Sequence, residues 1–392
     1  MKLLRTLSTS RLVLLIIAVA VLVAGVAAIA VAASGGSGPT PPPKPLAQAV
    51  HDSLSGPSPK GVTARIKFTN KLFPSGAITG QVGSALMSGA SGRLWATNDG
   101  RGRLELQSNA GDVQVVWNDT EVTVYDASSN TVYRAKPPAD GKSSAKSSAD
   151  QGGIPSVAKI SNFLAKLGEH ASLSSAEPSN VAGQEAYTVR ISPKHDGGLL
   201  GAAELAFDAT RGVPLRLGIY AQGASTPVLE LAASHISYGP VPASDVNVAP
   251  PAGAKSVDLG SLTRNGKDTA GQVHASGLKP VQAAATFPVV APDRLVGLPR
   301  QDVRLVGKSD SKAALVVYGH GLGAIVVVER AGAAGNSGAM GSLPQVSLNG
   351  VTAHELATQL GTALTWKRGE VTYVLAGSVP PAAAEAAARA LG

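Results

Sequence analysis

The stretch from Val113 to Ala135, VQVVWNDTEVTVYDASSNTVYRA, constrains this chain more than any other. Val113, Val115 and Trp117 alternate with Gln114, and Val122 and Val124 flank Thr123, so successive side chains point to opposite faces of strands. The NDT and DASSN clusters between the runs are tight-turn chemistry. Such a ribbon has one apolar face that must be buried against something.

The same alternation recurs in VTARIKFT from Val62, in RLELQ from Arg103, and in QEAYTVRIS, AAELAFD, PLRLGIYA and PVLELAASHISY further on. In PLRLGIYA, Leu215, Leu217 and Ile219 oppose Arg216 and Tyr220. High Gly (45) and Pro (26) with only 4% aromatic residues suits turn-rich β structure packed with Ala, Val and Leu. Against about eight or nine strands stand two short helices. LAQAVHDSL carries Leu46, Val50 and Leu54 on one face. IPSVAKISNFLAKLGEH offers Ser156 as N-cap, Val157, Ile160, Leu164 and Leu167 as a stripe, and Gly168 as stop.

A sheet that large must close on itself, pair with another sheet, or curve round a filling. Two short helices cover only part of it, and the remaining apolar hollow is where a hydrophobic ligand binds. Val113, Val115, Trp117, Leu215, Leu217 and Ile219 are the candidate lining. The competing reading makes each of them ordinary sheet core.

The N-terminus speaks to compartment. Lys2, Arg5 and Arg11 precede 22 uncharged residues, Leu12 to Ala33, a helix of roughly 33 Å and long enough for a bilayer core. Basic residues before the run keep the N-terminus cytoplasmic and place the rest outside. Ala30-Val31-Ala32 also fits a signal-peptidase site, so the run is a membrane anchor or a cleaved leader. Either way the bulk of the chain is expected to be extracytoplasmic. Residues 34–45, SGGSGPTPPPKP, read as a stalk.

The expected organisation is a basic segment at 1–11, the membrane helix at 12–33, the stalk at 34–45, a β domain at 46–258, a linker at 259–284 and a small α+β domain at 285–392. Residues 137–153 read as a polar loop. In the last domain Thr352 and Glu355 have capping-box spacing for a helix, Arg368-Gly369 marks a hairpin, and Pro380-Pro381 open a final helix.

Chemistry is hard to find. The chain has no cysteine, which excludes disulfides, thiolate sites and a lipid-modified cysteine. The seven histidines have no metal-ligand spacing, and there is no nucleophile elbow or phosphate loop. Gly319-His320-Gly321-Leu322-Gly323-Ala324 matches a loose dinucleotide fingerprint, but the β-branched AIVVVER that follows makes it a hairpin turn. The net charge of +8 comes without a basic run interleaved with aromatics, so nucleic acid is not an expected partner. No enzyme activity and no cofactor are expected.

QEAYTVRISP, AELAFDATRGVPLRLGIY and ISYGPVPASDVNVAPPAGAKSV resemble the second half of the LolA-like carrier and sensor superfamily. They carry Asp208, Gly212, Pro214, Leu215 and Arg216 in its D-x-x-x-G-x-P-L-R pattern, and Pro250, Pro251 and Gly253 in its closing P-P-x-G. VVWNDTEVTVYDASSNTVYRA, with Tyr125-Asp126 before a turn, is similar to the family's strand pair. The resemblance spans about residues 46–258. It implies a mainly β fold with some α: a curved, unclosed antiparallel barrel with a helical lid, holding an acyl chain, lipid or lipoprotein. Its RseB (MucB)-like branch implies instead a regulator that binds a membrane anti-sigma factor and controls envelope-stress signalling. The C-terminal end resembles a small α/β domain of bacterial cell-surface and anti-sigma-associated proteins. A membrane segment in this chain departs from a freely shuttling carrier.

Overall fold

The computed structural model describes residues 38–73, 85–136, 155–195, 197–258, 273–307, 312–332 and 343–391. The expected membrane helix at 12–33 and the polar loop at 137–153 lie outside these. Among the described residues no helix is long and apolar enough to cross a membrane.

Alternation becomes strand as expected, and more of it than expected. The first unit is a 13-stranded sheet. Its strands are β1 (Gly61–Asn70), β2 (Ala90–Thr97), β3 (Gly102–Ser108), β4 (Gly111–Trp117), β5 (Val122–Asp126), β6 (Thr131–Ala135), β7 (Ala171–Leu173), β8 (Glu177–Val181), β9 (Gln184–Pro193), β10 (Leu200–Asp208), β11 (Pro214–Ala221), β12 (Leu229–Tyr238) and β13 (Lys255–Asp258). They run in the order β13-β6-β5-β4-β3-β2-β1-β12-β11-β10-β9-β7, with β8 on β9, and the two ends of this order do not pair. The barrel is therefore unclosed. One apolar cluster nonetheless joins Val113, Val115 and Val124 with Leu205, Phe207 and Leu215. Strands so far apart in the order can share a core only if the sheet curves.

The helices are α1 (Leu46–Ser55), α2 (Ala85–Ser88), α3 (Val157–Leu167), α4 (Ala243–Val246), α5 (Leu278–Ala284) and α6 (Pro381–Ala390). Ser156 caps α3 as read, its hydroxyl accepting from the Lys159 N–H, and Gly168 ends it.

The second unit is a 9-stranded sheet of β14 (Val273–Ser276), β15 (Arg294–Leu295), β16 (Leu298–Val306), β17 (Ala313–Tyr318), β18 (Ile325–Ala331), β19 (Gln345–Leu348), β20 (Val351–Thr358), β21 (Gly361–Arg368) and β22 (Val371–Gly377). Two expectations fail here. Part of the segment read as linker is β14, paired with β16, and α5, whose Val281 is fully buried in this unit's core. Thr352 and Glu355 open no helix: they lie in β20, between β19 and β21. The reason is the turn before them. Asn349 and Gly350 both have positive φ, 49° and 85°, the backbone of a two-residue hairpin turn that sends the chain back as a strand. The Gly-rich 319–324 segment is the expected turn, between antiparallel β17 and β18.

Among the described residues, hydrogen bonds join the units at two places. The Leu199 N–H donates to the Ser378 carbonyl (3.1 Å) and lies 2.9 Å from its Oγ. Gln359 donates from its backbone N–H to the Leu72 carbonyl (3.3 Å) and from Nε2 to the Lys71 carbonyl (2.6 Å).

Candidate functional site

The hollow of the larger sheet is built from facing rows. Ala64, Leu94, Leu104, Val115, Val124 and Tyr133 lie opposite one another across β1 to β6. Above them, Ala85 and Leu86 of α2 are buried in the same cluster, as is Ala49 of α1, while Leu46 and Val50 pack against it.

α1 is fixed at both ends. Before it, Asn180 Nδ2 donates to the Pro39 carbonyl (2.8 Å) and the Tyr187 hydroxyl to that of Pro42 (2.6 Å). Lys44 pairs with Asp52 at 2.6 Å, which holds the Asp52 carboxyl below its usual range and the Lys44 ammonium above its own. Beyond the helix, Gly56 lies so close to the Thr210 carbonyl that any Cβ would collide. α3 rests on α1 rather than on the sheet. His51 Nδ1 lies 2.9 Å from the Pro155 carbonyl, Ile160 is buried, and Phe163 stands 65% exposed.

The structure divides the six candidate lining residues. Val113, Val115 and Leu215 are buried in the core. Trp117 and Leu217 are half-buried on its margin, and Ile219 is half-buried outside that cluster. They do not gather at one place. Trp117 belongs to the row of Val62, Ala96, Gly102 and Val122, its indole crowding Gly102 so closely that a Cβ there would clash. Leu217 belongs to the row of Phe68, Leu231 and Leu205. Along β1 these rows are Val62 and Phe68, roughly 20 Å apart at about 3.3 Å per residue. At the second row Phe68, Ala90, Leu217 and Leu231 are all half-buried and continuous with the core. Phe68 was legible from the alternation in VTARIKFT. Ala90 and Leu231 needed the pairing register.

The other side of β9 to β12 is not simply wet. Arg216 is buried 3.4 Å from the Glu230 carboxylate, and Arg190 pairs with Glu204 at 2.7 Å while lying over the Tyr220 ring at 4.7 Å. The Tyr220 hydroxyl donates to Glu204 at 2.7 Å. Burial lowers the Arg216 pKa and raises those of Tyr220 and Glu230. These groups pair with one another across four strands, which favours a buried charge on a sheet face.

Among the described residues no three His, Cys, Asp or Glu side chains are grouped to hold a metal ion. Fold and site together define an open, curved sheet, antiparallel except where β13 runs parallel to β6, with an anchored helix seated in its apolar hollow.

No family model matches the chain, and no curated protein matches it in sequence. Solved structures give partial likenesses. A complex of MucB with MucA(peri) is 16% identical, with a TM-score of 0.40 over 88% of this chain and 94% of that one. The MucA/MucB complex of Pseudomonas aeruginosa is 17% identical, with a TM-score of 0.41 over the same shares. A putative outer membrane lipoprotein-sorting protein domain from Vibrio parahaemolyticus is 13% identical, with a TM-score of 0.22 over 52% of this chain and 94% of that one. TM-scores this low mark partial superpositions, and no residue role passes from those proteins to this chain.

Proposed function

We propose that this chain is a non-enzymatic binding protein, tethered to the outer side of a membrane through residues 12–33, that takes a lipid, acyl chain or lipidated segment at the hollow of its larger sheet. The observation that supports this is the half-buried row of Phe68, Ala90, Leu217 and Leu231, an apolar margin continuous with a closed core. An acyl chain laid along that margin extends the core without disturbing α1.

Native mass spectrometry of residues 38–392, purified without detergent from a membrane-rich bacterial host, tests it. A mass excess that extracts into organic solvent is expected, and Leu217→Arg should abolish it while circular dichroism still reports β structure. A clean protein mass that stays unchanged with added lipid would sink this reading.

A second reading has its own observation. Phe163 is 65% exposed on α3, which itself sits on α1, so the helical layer presents an aromatic to a protein partner such as a membrane anti-sigma factor. A photo-crosslinker replacing Phe163 in the source organism should then capture one membrane protein reproducibly. Capture of none across growth conditions counts against it.

A further inference from the structure

We propose that the outer face of β12, β1 and β2 is a docking surface for an extended acidic segment of another protein, gripped by Arg65, Lys67 and Arg93. This surface is independent of the hollow on the opposite side.

The register sets up an unusual placement. Arg65 of β1 lies directly opposite Arg93 of β2, and on its other side opposite His235 of β12. All three are exposed, as is Lys67 two residues along β1. Directly opposed side chains have Cβ atoms about 5 Å apart, and like charges so placed destabilise a sheet. Neither guanidinium nor the ammonium has an ion pair among the described residues. Two carboxylates lie close but are paired with other cations: Glu105, directly opposite Arg93 on β3, with Arg103, which also lies over Trp95 at 5.2 Å, and Glu230, whose charge also reaches Lys67, with Arg216.

The occupant follows from charge and from what surrounds the patch. Nothing in this chain outside the described residues supplies an acidic run: 74–84, 333–342 and 392 carry no charge, 137–154 and 308–311 are balanced, 1–37 and 259–272 are net basic, and 196 is a lone Asp. A further counter-charge for Arg65, Lys67 and Arg93 is therefore sought in another molecule. Cation-bearing faces that settle on membranes pair their charge with apolar side chains that insert. Here the neighbours are Thr63, Ser91, Gln107, Ser237 and Glu105, the one aromatic among them, Trp95, is half-buried beneath Arg103, and the exposed large hydrophobic residues lie elsewhere. An extended peptide places alternate side chains about 7 Å apart on one face, which matches the spacing of Arg65 and Lys67. Carboxylates also engage guanidinium groups in paired hydrogen bonds.

The test uses the full chain in nonionic detergent and a fluorescein-labelled peptide of five Glu-Ser repeats, followed by anisotropy. Binding should weaken with salt. Arg65→Ser with Arg93→Ser should weaken it by about tenfold or more, whereas Lys159→Ser with Lys166→Ser on α3 should leave it unchanged. The Arg65/Arg93 variant should melt at or above the wild-type temperature, because it removes a like-charge pair. Absence of peptide binding, or an equal loss in both variants, overturns the proposal. So does a cysteine at position 91 (Ser91→Cys) that phosphatidylglycerol in the micelles shields from a soluble maleimide and the peptide does not, which would make the face a membrane contact.

Discussion

Glu329 on β18 is completely buried, with Oε2 accepting from the Val290 N–H at 2.9 Å and Oε1 without a hydrogen-bond partner among the described residues. Burial pushes its pKa from 4.5 to about 7, against the opposing pull of that N–H. A carboxyl raised in the folded state contributes stability that is complete below its unfolded pKa and is lost as pH rises through the folded one. Guanidinium unfolding of the wild type should therefore show stability falling from near pH 5 to near pH 8 by on the order of 3 kcal/mol. Glu329→Gln, which keeps an acceptor for Val290, should flatten that slope. At Gly102 the expected effect is local: Gly102→Ala must push the Trp117 indole off its neighbour, giving a red-shifted tryptophan emission with the β signal of circular dichroism retained. At this scale the sequence was a partial guide. Val113, Val115 and Leu215 face inward as their alternation required, but nothing in PLRLGIYA announced that Arg216 would be buried. That depends on Glu230 arriving from β12, a long-range pairing that local pattern does not carry.

Among elements, local chemistry was most legible where one residue enforces a geometry. Ser156 and Gly168 bounded α3 correctly because a cap and a stop act within one turn. Ser156→Ala should cost about 1 kcal/mol, read as loss of amide protection over Val157–Leu167 in hydrogen exchange. The misread capping box at Thr352 shows the converse. Two residues at the right spacing are weak next to Asn349-Gly350, whose positive φ values commit the chain to a hairpin. Gly350→Val should destabilise the second unit by more than 1 kcal/mol, since a β-branched residue at φ 85° is strained and this turn sets the register of β19 and β20. The short α2 was invisible for a different reason: four residues carry too little periodicity, and its place comes from Ala85 and Leu86 packing over β1, β3 and β4.

For the whole molecule, composition and turn spacing suggested two units, and the described strands form two sheets. How they touch was not legible, because a few hydrogen bonds between distant loops leave no pattern in sequence. Gly198, with φ of 57°, packs on Ser378 with no room for a side chain. Gly198→Leu should break that contact and resolve one calorimetric transition into two, if the joint couples the units; one unchanged transition would mean they melt independently of it. The two joints also have a mechanical consequence. Hydrogen bonds at two places favour rotation about the line through them, like a door on its pins, and one pin here is the pair of carbonyls at Lys71 and Leu72. That pin lies three to four residues beyond Phe68, just past the end of β1 at Asn70, so torque on the smaller unit reaches the strand end that borders the apolar margin of the larger one.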